Sequence, residues 1–342
     1  MNDAMTHANR TLSNLSRRGF LGLSLGVTAA GLLTACGSSG SDTVKILNTS
    51  ATAAIAINHM LASGKYFENA GVKAEITNVS SGNQVLAGVA SGSADITILS
   101  GLIGVFPGIE KGMKLKVVAG TQVVSTSALF SGNAAVKSVR DLPGKTLGVG
   151  AVGSELYDVF AALLAKYDIP QSAVTFRNVG SSADSLKAAL AKQVDCGYGQ
   201  VGNQALATKQ GARMIATVNQ ELPLWINQGA VASSSAISAK RDQLVKVLAA
   251  YAKLFAYLAT PESRAPYVTA YTAAGGSQAE AEQEWTFLNQ NKAYSPTLDL
   301  PQNKVQFIQQ QNVANGSQKS VLDYSSYTDL SLRDDALALA KK

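Results

Sequence analysis

Cysteine, histidine and charged residues are all scarce in this sequence. Its 342 residues include two cysteines and two histidines, and only 15% of them are charged. His59 is the sole histidine beyond residue 35, so a Ser/His/Asp site would depend on it, and no Gly-x-Ser-x-Gly segment is present. The sequence also lacks clusters with metal-ligand spacing and any phosphate loop of the P-loop type. We therefore expect no enzymatic activity and no cofactor or metal.

Runs of basic residues are missing as well. The formal net charge is +6, but Arg10, Arg17 and Arg18 fall in a segment that we expect to be removed. The remaining positive charge is spread along the chain, without a basic stretch interleaved with aromatic residues, so nucleic acid is not an expected partner. A mild positive balance suits an anionic ligand or an anionic membrane surface and does not decide between them. Hydrophobic residues, at 46%, are sufficient for a sizeable core.

The N-terminal segment has the parts of a secretory signal peptide, which we place at residues 1–35. A charged region is followed by an apolar run at 20–33 and by small residues. The apolar run is too short to span a hydrocarbon core of about 30 Å comfortably. Arg17-Arg18 followed by Phe20-Leu21 resembles a twin-arginine export signal, while an ordinary Sec signal that happens to hold two arginines also fits.

Cys36 ends a Leu-Thr-Ala-Cys segment that resembles the lipobox of bacterial lipoproteins. The alternative is a chance cysteine in an Ala/Thr-rich run. Residues 36–42 are rich in Gly and Ser, which is typical of a flexible tether. The sequence therefore predicts a lipid on Cys36 and an extracytoplasmic protein anchored to the cell membrane. Cys196 lies in an apolar run and is expected to be buried. Because the other cysteine is the predicted lipid site, no intrachain disulfide is expected.

The most informative feature of the remaining chain is a pattern that occurs twice, 100 positions apart. Residues 78–81 read Asn-Val-Ser-Ser and precede Asp95, and residues 178–181 read Asn-Val-Gly-Ser and precede Asp195. Each copy reads as an apolar strand, a Ser/Gly turn, a helix with apolar residues at helical spacing and a further strand. Strands that alternate with helices predict an α/β protein of two lobes, each with a mostly parallel sheet flanked by helices.

A cleft between the two lobes is the predicted ligand site. Ligands of open α/β sheets bind beyond the carboxyl ends of the strands, where helix N-termini offer free N–H groups. The turns at these places are rich in Ser, Thr and Gly, although the same hydroxyls suit simple helix caps, and one residue can do both. With the lobes at 43–124 plus 231–342 and at 125–230, the candidate ligand-binding residues in these turns are Ser50, Ala51, Ser81, Ser100, Gly101, Thr121, Gly153, Ser154 and Ser181.

Three segments carry a resemblance to a known family. They are 64–72 (Gly-Lys-Tyr-Phe-Glu, then Gly-Val), 92–101 (Gly-Ser-Ala-Asp, then Ser-Gly) and 139–154 (Val-Arg-Asp-Leu-Pro-Gly-Lys, then Gly-Ser). In order and spacing they resemble the ABC-transporter substrate-binding proteins of the nitrate/sulfonate/taurine group, which also includes thiamine-pyrimidine binders. The resemblance implies a type II periplasmic-binding fold that closes on a small molecule and delivers it to an ABC permease and ATPase. It also implies a polar or anionic organic ligand, such as a sulfonate, taurine or nitrate.

The sequence departs from this family where a ligand would be recognised. No Arg stands in the predicted cleft turns, so an anion would rest on amides and hydroxyls. Arg177, at the end of a strand, is the nearest candidate, with a solvated surface arginine as the alternative. Many relatives carry a Trp-rich turn after the third strand of the second lobe, and this chain does not. The polar and aromatic candidates in that turn and where the chain crosses back between lobes are Tyr198, Gln200, Asn203, Trp225 and Asn227.

Other functions remain open at this point. The ligand could be aromatic or pyrimidine-like, and the protein could be a sensor lipoprotein without a transport role. A relative of this fold acts as a pyrimidine-forming enzyme through a cysteine-rich motif, which this sequence lacks. Segments near 285–288 and 305–308 are expected to pack back over the first lobe.

Overall fold

The structure is a computed structural model that describes residues 42–341. The signal peptide, the lipid site at Cys36 and most of the tether at 36–42 therefore lie outside the described residues. The strands within residues 42–341 are β1 (Val44–Thr49), β2 (Ala74–Val79), β3 (Ile96–Gly101), β4 (Leu115–Gly120), β5 (Ser127–Ser131), β6 (Thr146–Val149), β7 (Thr175–Asn178), β8 (Cys196–Gln200), β9 (Arg213–Thr217) and β10 (Gln228–Ser233).

Helices separate most of these strands and make up the C-terminal third. They are α1 (Thr52–Ser63), α2 (Tyr66–Asn69), α3 (Gly82–Ala90), α4 (Val105–Glu110), α5 (Glu155–Lys166), α6 (Ser182–Leu190), α7 (Gln204–Lys209), α8 (Val218–Glu221), α9 (Ser234–Leu258), α10 (Arg264–Ala273), α11 (Gln278–Gln290), α12 (Gln302–Ala314), α13 (Tyr324–Tyr327) and α14 (Ser331–Ala340). Short 3-10 turns occupy Val139–Asp141, Gln171–Ala173, Val201–Asn203 and Pro261–Ser263.

The strands form two five-stranded sheets that share one strand order. The first sheet runs β2-β1-β3-β10-β4 and the second runs β7-β6-β8-β5-β9. In each sheet the first three strands pair in parallel, with β1 and β2 in register from Val44 opposite Ala74 to Thr49 opposite Val79. The fourth strand of each sheet, β10 in the first and β5 in the second, is antiparallel to both neighbours. The predicted class of two mostly parallel sheets flanked by helices is confirmed, while the proposed boundary at 230/231 falls inside β10.

The repeated aspartates have equivalent roles in the two sheets. Asp95 accepts a hydrogen bond from the Lys45 amide, and Asp195 accepts one from the Thr146 amide, both at 2.8 Å. The amide of each aspartate donates in return to the carbonyl of the same strand residue, also at 2.8 Å. Asp95 thereby fixes the start of β3 to the start of β1, and Asp195 fixes the start of β8 to the start of β6.

Serine caps account for where the helices after these strands begin. The Ser81 hydroxyl accepts from the Gln84 amide at the start of α3. The Ser181 hydroxyl accepts from the Asp184 amide at the start of α6, and the Asp184 carboxylate accepts in return from Ser181. Such caps satisfy N–H groups that a helix leaves free at its first turn, so the Ser/Gly turns of the repeat are explained structurally.

Two large apolar cores, with two smaller clusters beside them, hold the described residues together. One lies between the first sheet and α9, whose apolar stripe is buried as the sequence predicts. The other contains side chains from both sheets and from the segments packed on them. Among the latter are Phe106 of α4, Phe160 of α5 and the almost fully buried Trp225. Cys196, on β8, is also fully buried, as expected. Because the second core spans both sheets, the two halves share apolar contacts as well as chain connections.

The C-terminal helices α11 and α12 contact elements of both sheets. Helix α11 packs on α10 and also on α7 and the turn before it, while α12 approaches α5. The expectation that these segments pack over the first lobe alone was therefore incomplete. No single helix within residues 42–341 is long and apolar enough to cross a membrane, although the bent pair Ser234–Leu258 and Pro261–Ala273 meets that length and composition together.

Candidate functional site

The chain passes between the two sheets twice, and the two crossings touch each other. The first crossing links β4 to β5, and the second links α8 to β10. The side chain of Asn227 donates to the Gln122 side chain at 2.8 Å, and the Asn227 amide donates to the Gln122 carbonyl at 3.1 Å. Gln122 donates to Thr126 at 3.3 Å, and Thr126 donates to Gln200 at 2.6 Å. A continuous polar chain thus leads from the second crossing to the end of β8.

Glu155 occupies the point where the two sheets face each other. It is the first residue of α5, and its Oε1 accepts from the Tyr198 hydroxyl at 3.3 Å and from the Ser127 hydroxyl at 3.4 Å. A side chain at Gly101 would place its Cβ 3.0 Å from Glu155 Oε2. The carboxyl end of β3 in the first sheet therefore contacts a carboxylate carried by the second. We call Gly101, Ser127, Glu155, Tyr198 and Trp225 the junction cluster.

The Glu155 carboxylate is enclosed, and its charge is not balanced by a neighbouring cation. Glu155 as a residue is half-buried, with its carboxyl end directed inward. Burial raises the pKa of Glu155 to about 7, against hydrogen bonds from Tyr198, Ser127 and Trp225 that lower it. Within residues 42–341, none of the ion pairs includes Glu155. The N-terminus of α5 supplies some stabilisation to an anion, but too little to restore an ordinary pKa.

The predicted cap residues lie at strand ends, but only some of them use their side chains to cap a helix. Ser50 is exposed, and Ala51 caps α1 without a side-chain bond. Ser81 and Ser181 use their hydroxyls as caps, as described above. Ser154 precedes α5 but makes no cap bond, and its hydroxyl is buried without a hydrogen-bond partner among the described residues. Ser154 is therefore the cap hydroxyl with unused bonding capacity next to the junction cluster.

Four other predicted residues are buried or half-buried, and their side chains are already hydrogen-bonded. Ser100 accepts from a threonine on its own strand at 2.9 Å, and Thr121 donates to a β3 carbonyl at 2.8 Å. The Gln200 side chain accepts from the first crossing. The Asn203 side chain accepts from the Gln200 amide and donates to Glu280 of α11 at 2.9 Å. These four side chains connect parts of the protein to one another.

The remaining predicted residues meet at the crossings. Gly101, at the end of β3, approaches the Glu155 side chain, and a Cβ on Gly104 would lie 3.8 Å from the Gly153 carbonyl oxygen in the loop before α5. Gly153 has a positive φ of +79°, a conformation that favours glycine. Asn227 bonds through its amide nitrogen, while its Oδ1 is buried with no partner in the described chain. The structure thus brings Gly101, Ser154, Tyr198, Trp225 and Asn227 together.

Helix α11 adds a contact that the sequence did not indicate. Glu284 is 1% exposed, and its Oε2 accepts from the Gly202 amide at 3.0 Å. Gln283 accepts from the Ala205 amide at 2.9 Å. Burial raises the pKa of Glu284 to about 7, against hydrogen bonds from Gly202 and Thr126 that lower it. Carboxylates and amides of α11 therefore close over the loop that follows β8.

Sequence reasoning missed the central residue of the site and its partners. Glu155 directly follows the predicted cap Ser154, so a carboxylate at the start of a cleft-facing helix was the available signal. Ser127 and Gln122 lie at the crossing, in a stretch with no motif. Glu284 lies in a helix whose sequence pattern predicts an exposed polar face at that position.

Two cavities lie outside the junction cluster. One of about 390 Å³ is lined by β7 and α6 residues, including Arg177. Arg177 donates to the Gln193 carbonyl at 3.2 Å, so it is placed away from the junction. The other, of about 880 Å³, lies between α11 and residues of α7, β9 and α8.

Comparison with known proteins identifies the family. The model of the family described as NMT1/THI5 like matches residues 58–263. The chain belongs to this family. No curated protein sequence matches it.

Several solved structures share the fold of this NMT1/THI5-like protein at low identity. A protein of Bordetella bronchiseptica RB50 is 17% identical, with a TM-score of 0.73 over 88% of this chain and 98% of that chain. The alkanesulfonate-binding protein SsuA from Xanthomonas axonopodis pv. citri, bound to MOPS, is 18% identical, with a TM-score of 0.68 over 83% and 95%. The desulfurization enzyme DSZB is 13% identical, with a TM-score of 0.62 over 87% and 99%. These likenesses confirm the predicted periplasmic-binding fold.

Proposed function

We propose that this protein is an extracytoplasmic solute-binding lipoprotein that delivers a small molecule to an ABC importer. The contact of Gly101 at the end of β3 with Glu155 at the start of α5 carries the proposal. In open α/β sheets, ligands bind beyond the carboxyl ends of the strands, and here the ends of two such sheets face each other. The family and the fold, which SsuA proteins share, support the same function.

The lobes open and close about the two crossings. The sequence predicts a first lobe at 43–124 plus 231–342 and a second at 125–230. Because β10 belongs to the first sheet, we move the second boundary to its start, so that the first lobe resumes at Gln228. The bond between Asn227 and Gln122 keeps the crossings together while the lobes rotate. Shared apolar packing around Trp225 lies next to the crossings. A ligand that contacts both lobes stabilises the closed state by its differential affinity for that state.

Unsatisfied polar atoms support the position of the ligand. Ser154 Oγ, Asn227 Oδ1 and Gln228 Oε1 are buried without partners in the described chain. Asn227 and Gln228 lie at the second crossing, and Ser154 directly precedes Glu155 of the junction cluster. Buried polar atoms without partners are costly, and a bound polar molecule removes that cost. Ser50, Ala51, Ser81, Gly153 and Ser181 line the strand ends on either side, where a ligand reaches them once the lobes part. Ser100, Thr121, Gln200 and Asn203 act mainly by holding these segments in place.

The remaining parts of the function come from the sequence. Cys36 carries the lipid that anchors the protein to the outer face of the cell membrane, residues 36–42 are the tether, and an ABC permease and ATPase are the partners. The ligand is a polar organic molecule of the size that sulfonates, taurine or a pyrimidine represent. That the protein is not an enzyme stays a prediction, since DSZB shows that the fold also serves an enzyme.

Small-angle scattering of residues 42–342 with candidate ligands tests the proposal. We expect a ligand found by thermal shift to raise the melting temperature, and Ser154→Trp to abolish binding because the indole fills the junction. A micromolar ligand corresponds to about 8 kcal/mol and one hydrogen bond to about 1 kcal/mol, so Ser154→Ala weakens binding two- to tenfold. Ser172→Trp, at an exposed turn outside the junction cluster, is the control. Binding that changes neither shape nor stability, and that survives Ser154→Trp, would contradict the proposal.

A further inference from the structure

We infer that Glu155 determines the specificity of the cleft and selects a ligand that presents a cationic or hydrogen-bond-donating nitrogen to it, such as an amine or an amino-heterocycle. The inference rests on the proposed function and names its ligand class. It departs from the sequence-based expectation of a plain anion such as nitrate or a simple sulfonate.

The geometry places the carboxylate where a ligand has to lie. Glu155 projects from the second lobe to Gly101 of the first, so a molecule held between the strand ends meets its Oε2. Oε1 is occupied by the Tyr198 and Ser127 hydroxyls, which fix the orientation of the carboxyl group. Trp225 also donates to this carboxyl group, so three of its about four acceptor sites are used and one is left for a ligand nitrogen.

The charge at this position opposes an anion. Like charges repel more strongly in a partly buried site than in water, and no described Lys or Arg forms an ion pair with Glu155 to offset that repulsion. A ligand ammonium or amidine group supplies that missing positive charge. The N-terminus of α5 on its own would favour an anionic ligand, but the Glu155 carboxylate already lies there.

Because Glu155 titrates, the affinity for a ligand that contacts it should depend on pH. The titratable groups that face Glu155 are Tyr198 on β8 and Asp158 one turn further along α5, while Ser127, Trp225 and Gly101 complete its surroundings. The pKa of Glu155 is raised to about 7, so the carboxylate is the main form above pH 7 and the neutral acid below it. An amine ligand accordingly binds more tightly at pH 8 than at pH 6. An anion held by the neutral acid shows the opposite dependence.

The experiment uses pairs of probes that differ by one amino group. Taurine is compared with ethanesulfonate and 4-aminopyrimidine with pyrimidine, by calorimetry on the wild-type protein, Glu155→Gln and Asp158→Asn. Asp158 is a buried carboxyl on the same helix that accepts from Asn315 at 2.8 Å, so its variant controls for the loss of a buried acid outside the cleft. We expect at least one amino-bearing probe to bind over tenfold more tightly than its pair. Glu155→Gln abolishes the preference for a cationic amine and its pH dependence, whereas Asp158→Asn keeps the preference and lowers its pH midpoint, because one neighbouring negative charge is lost.

The other outcomes separate this inference from the proposed function. Binding of ethanesulfonate or nitrate that improves in Glu155→Gln and closes the protein in scattering overturns the inference and leaves the proposed function intact. An amino-group preference that persists in Glu155→Gln also overturns it. If no probe of either kind binds or changes the shape of the wild-type protein, both are rejected.

Discussion

The Tyr198 hydroxyl donates a hydrogen bond of 3.3 Å to Glu155 and at the same time lies in hydrogen-bond contact with Ser127. Tyr198 is 3% exposed, so all three groups meet away from water. The contact joins the middle of the second sheet to the first turn of α5. It sets both the direction in which the Glu155 carboxylate points and the pH at which it titrates.

Tyr198→Phe is expected to raise the pKa of Glu155, because the Tyr198 hydrogen bond lowers it. The pH midpoint for binding of an amino-bearing probe then moves upward, and stability falls by about 1–2 kcal/mol because two buried groups lose a partner. Tyr267→Phe is the matched control, since the Tyr267 hydroxyl is buried without a partner in the described chain. Calorimetry across pH and denaturant unfolding measure both effects. Equal midpoints in the two variants would show that Tyr198 does not tune Glu155.

Gly202→Ala is expected to force α11 away from the loop after β8. A Cβ at Gly202 would lie 2.9 Å from both the Glu280 carbonyl oxygen and Glu284 Oε2, which is closer than such contacts allow. We expect a larger radius of gyration by scattering and a loss of about 1–3 kcal/mol. Gly82→Ala is the control, because a Cβ there meets nothing within 4 Å. An unchanged shape in Gly202→Ala would mean that α11 adjusts without opening the protein.

Glu284→Gln is expected to flatten part of the pH dependence of stability. Burial raises the pKa of Glu284 from 4.5 to about 7, so the folded protein binds a proton that the unfolded chain has lost between these values. The stability contributed by this group is therefore present at low pH and is lost as pH rises through the folded pKa. The melting temperature of the wild-type protein should fall more between pH 5 and pH 8 than that of Glu284→Gln. Parallel curves would argue that Glu284 titrates normally.

Cys36→Ala is expected to release the protein from the membrane fraction or to leave an uncleaved precursor, because the thiol is the predicted lipid site. Replacing Arg17 and Arg18 by Lys should block export by the twin-arginine route and leave export by the Sec route unchanged. Fractionation and the mass of the mature N-terminus measure both. A Cys36→Ala protein that is still processed and bound to the membrane would remove the basis for the anchor.

The strands and helices before β10 were largely predictable because local signals agree with the fold. Apolar runs, Ser/Gly turns and the spacing of Asp95 and Asp195 act over a few residues, and each indicates its own strand or helix. The junction cluster could not be predicted in the same way. Glu155 and Ser127 become neighbours only through the pairing of β5 with β8, which joins distant parts of the chain. The role of α11 depends on packing between lobes, which the periodicity of one helix does not encode.

The paired aspartates offer a last test of the repeat, because their roles match while their surroundings differ. Both accept a strand amide at 2.8 Å, but Asp195 also accepts from Asn133 at 2.6 Å, whereas Asp95 pairs with Lys240 at 2.8 Å.

Burial raises the pKa of Asp195, but hydrogen bonds from Thr146 and Asn133 and the charge of Lys145 lower it by more. Its stabilising contribution is thus present at neutral pH and is lost as pH falls through the folded pKa. Asp195→Ala should cost about 1–3 kcal/mol at pH 7 and less in acid, and hydrogen exchange of the Thr146 amide should speed up. Asp95→Ala should release the Lys45 amide in the same way, and the exposed Asp242→Ala should change neither. If loss of Asp195 leaves the Thr146 amide protected, the repeated aspartate does not fix β6 to β8.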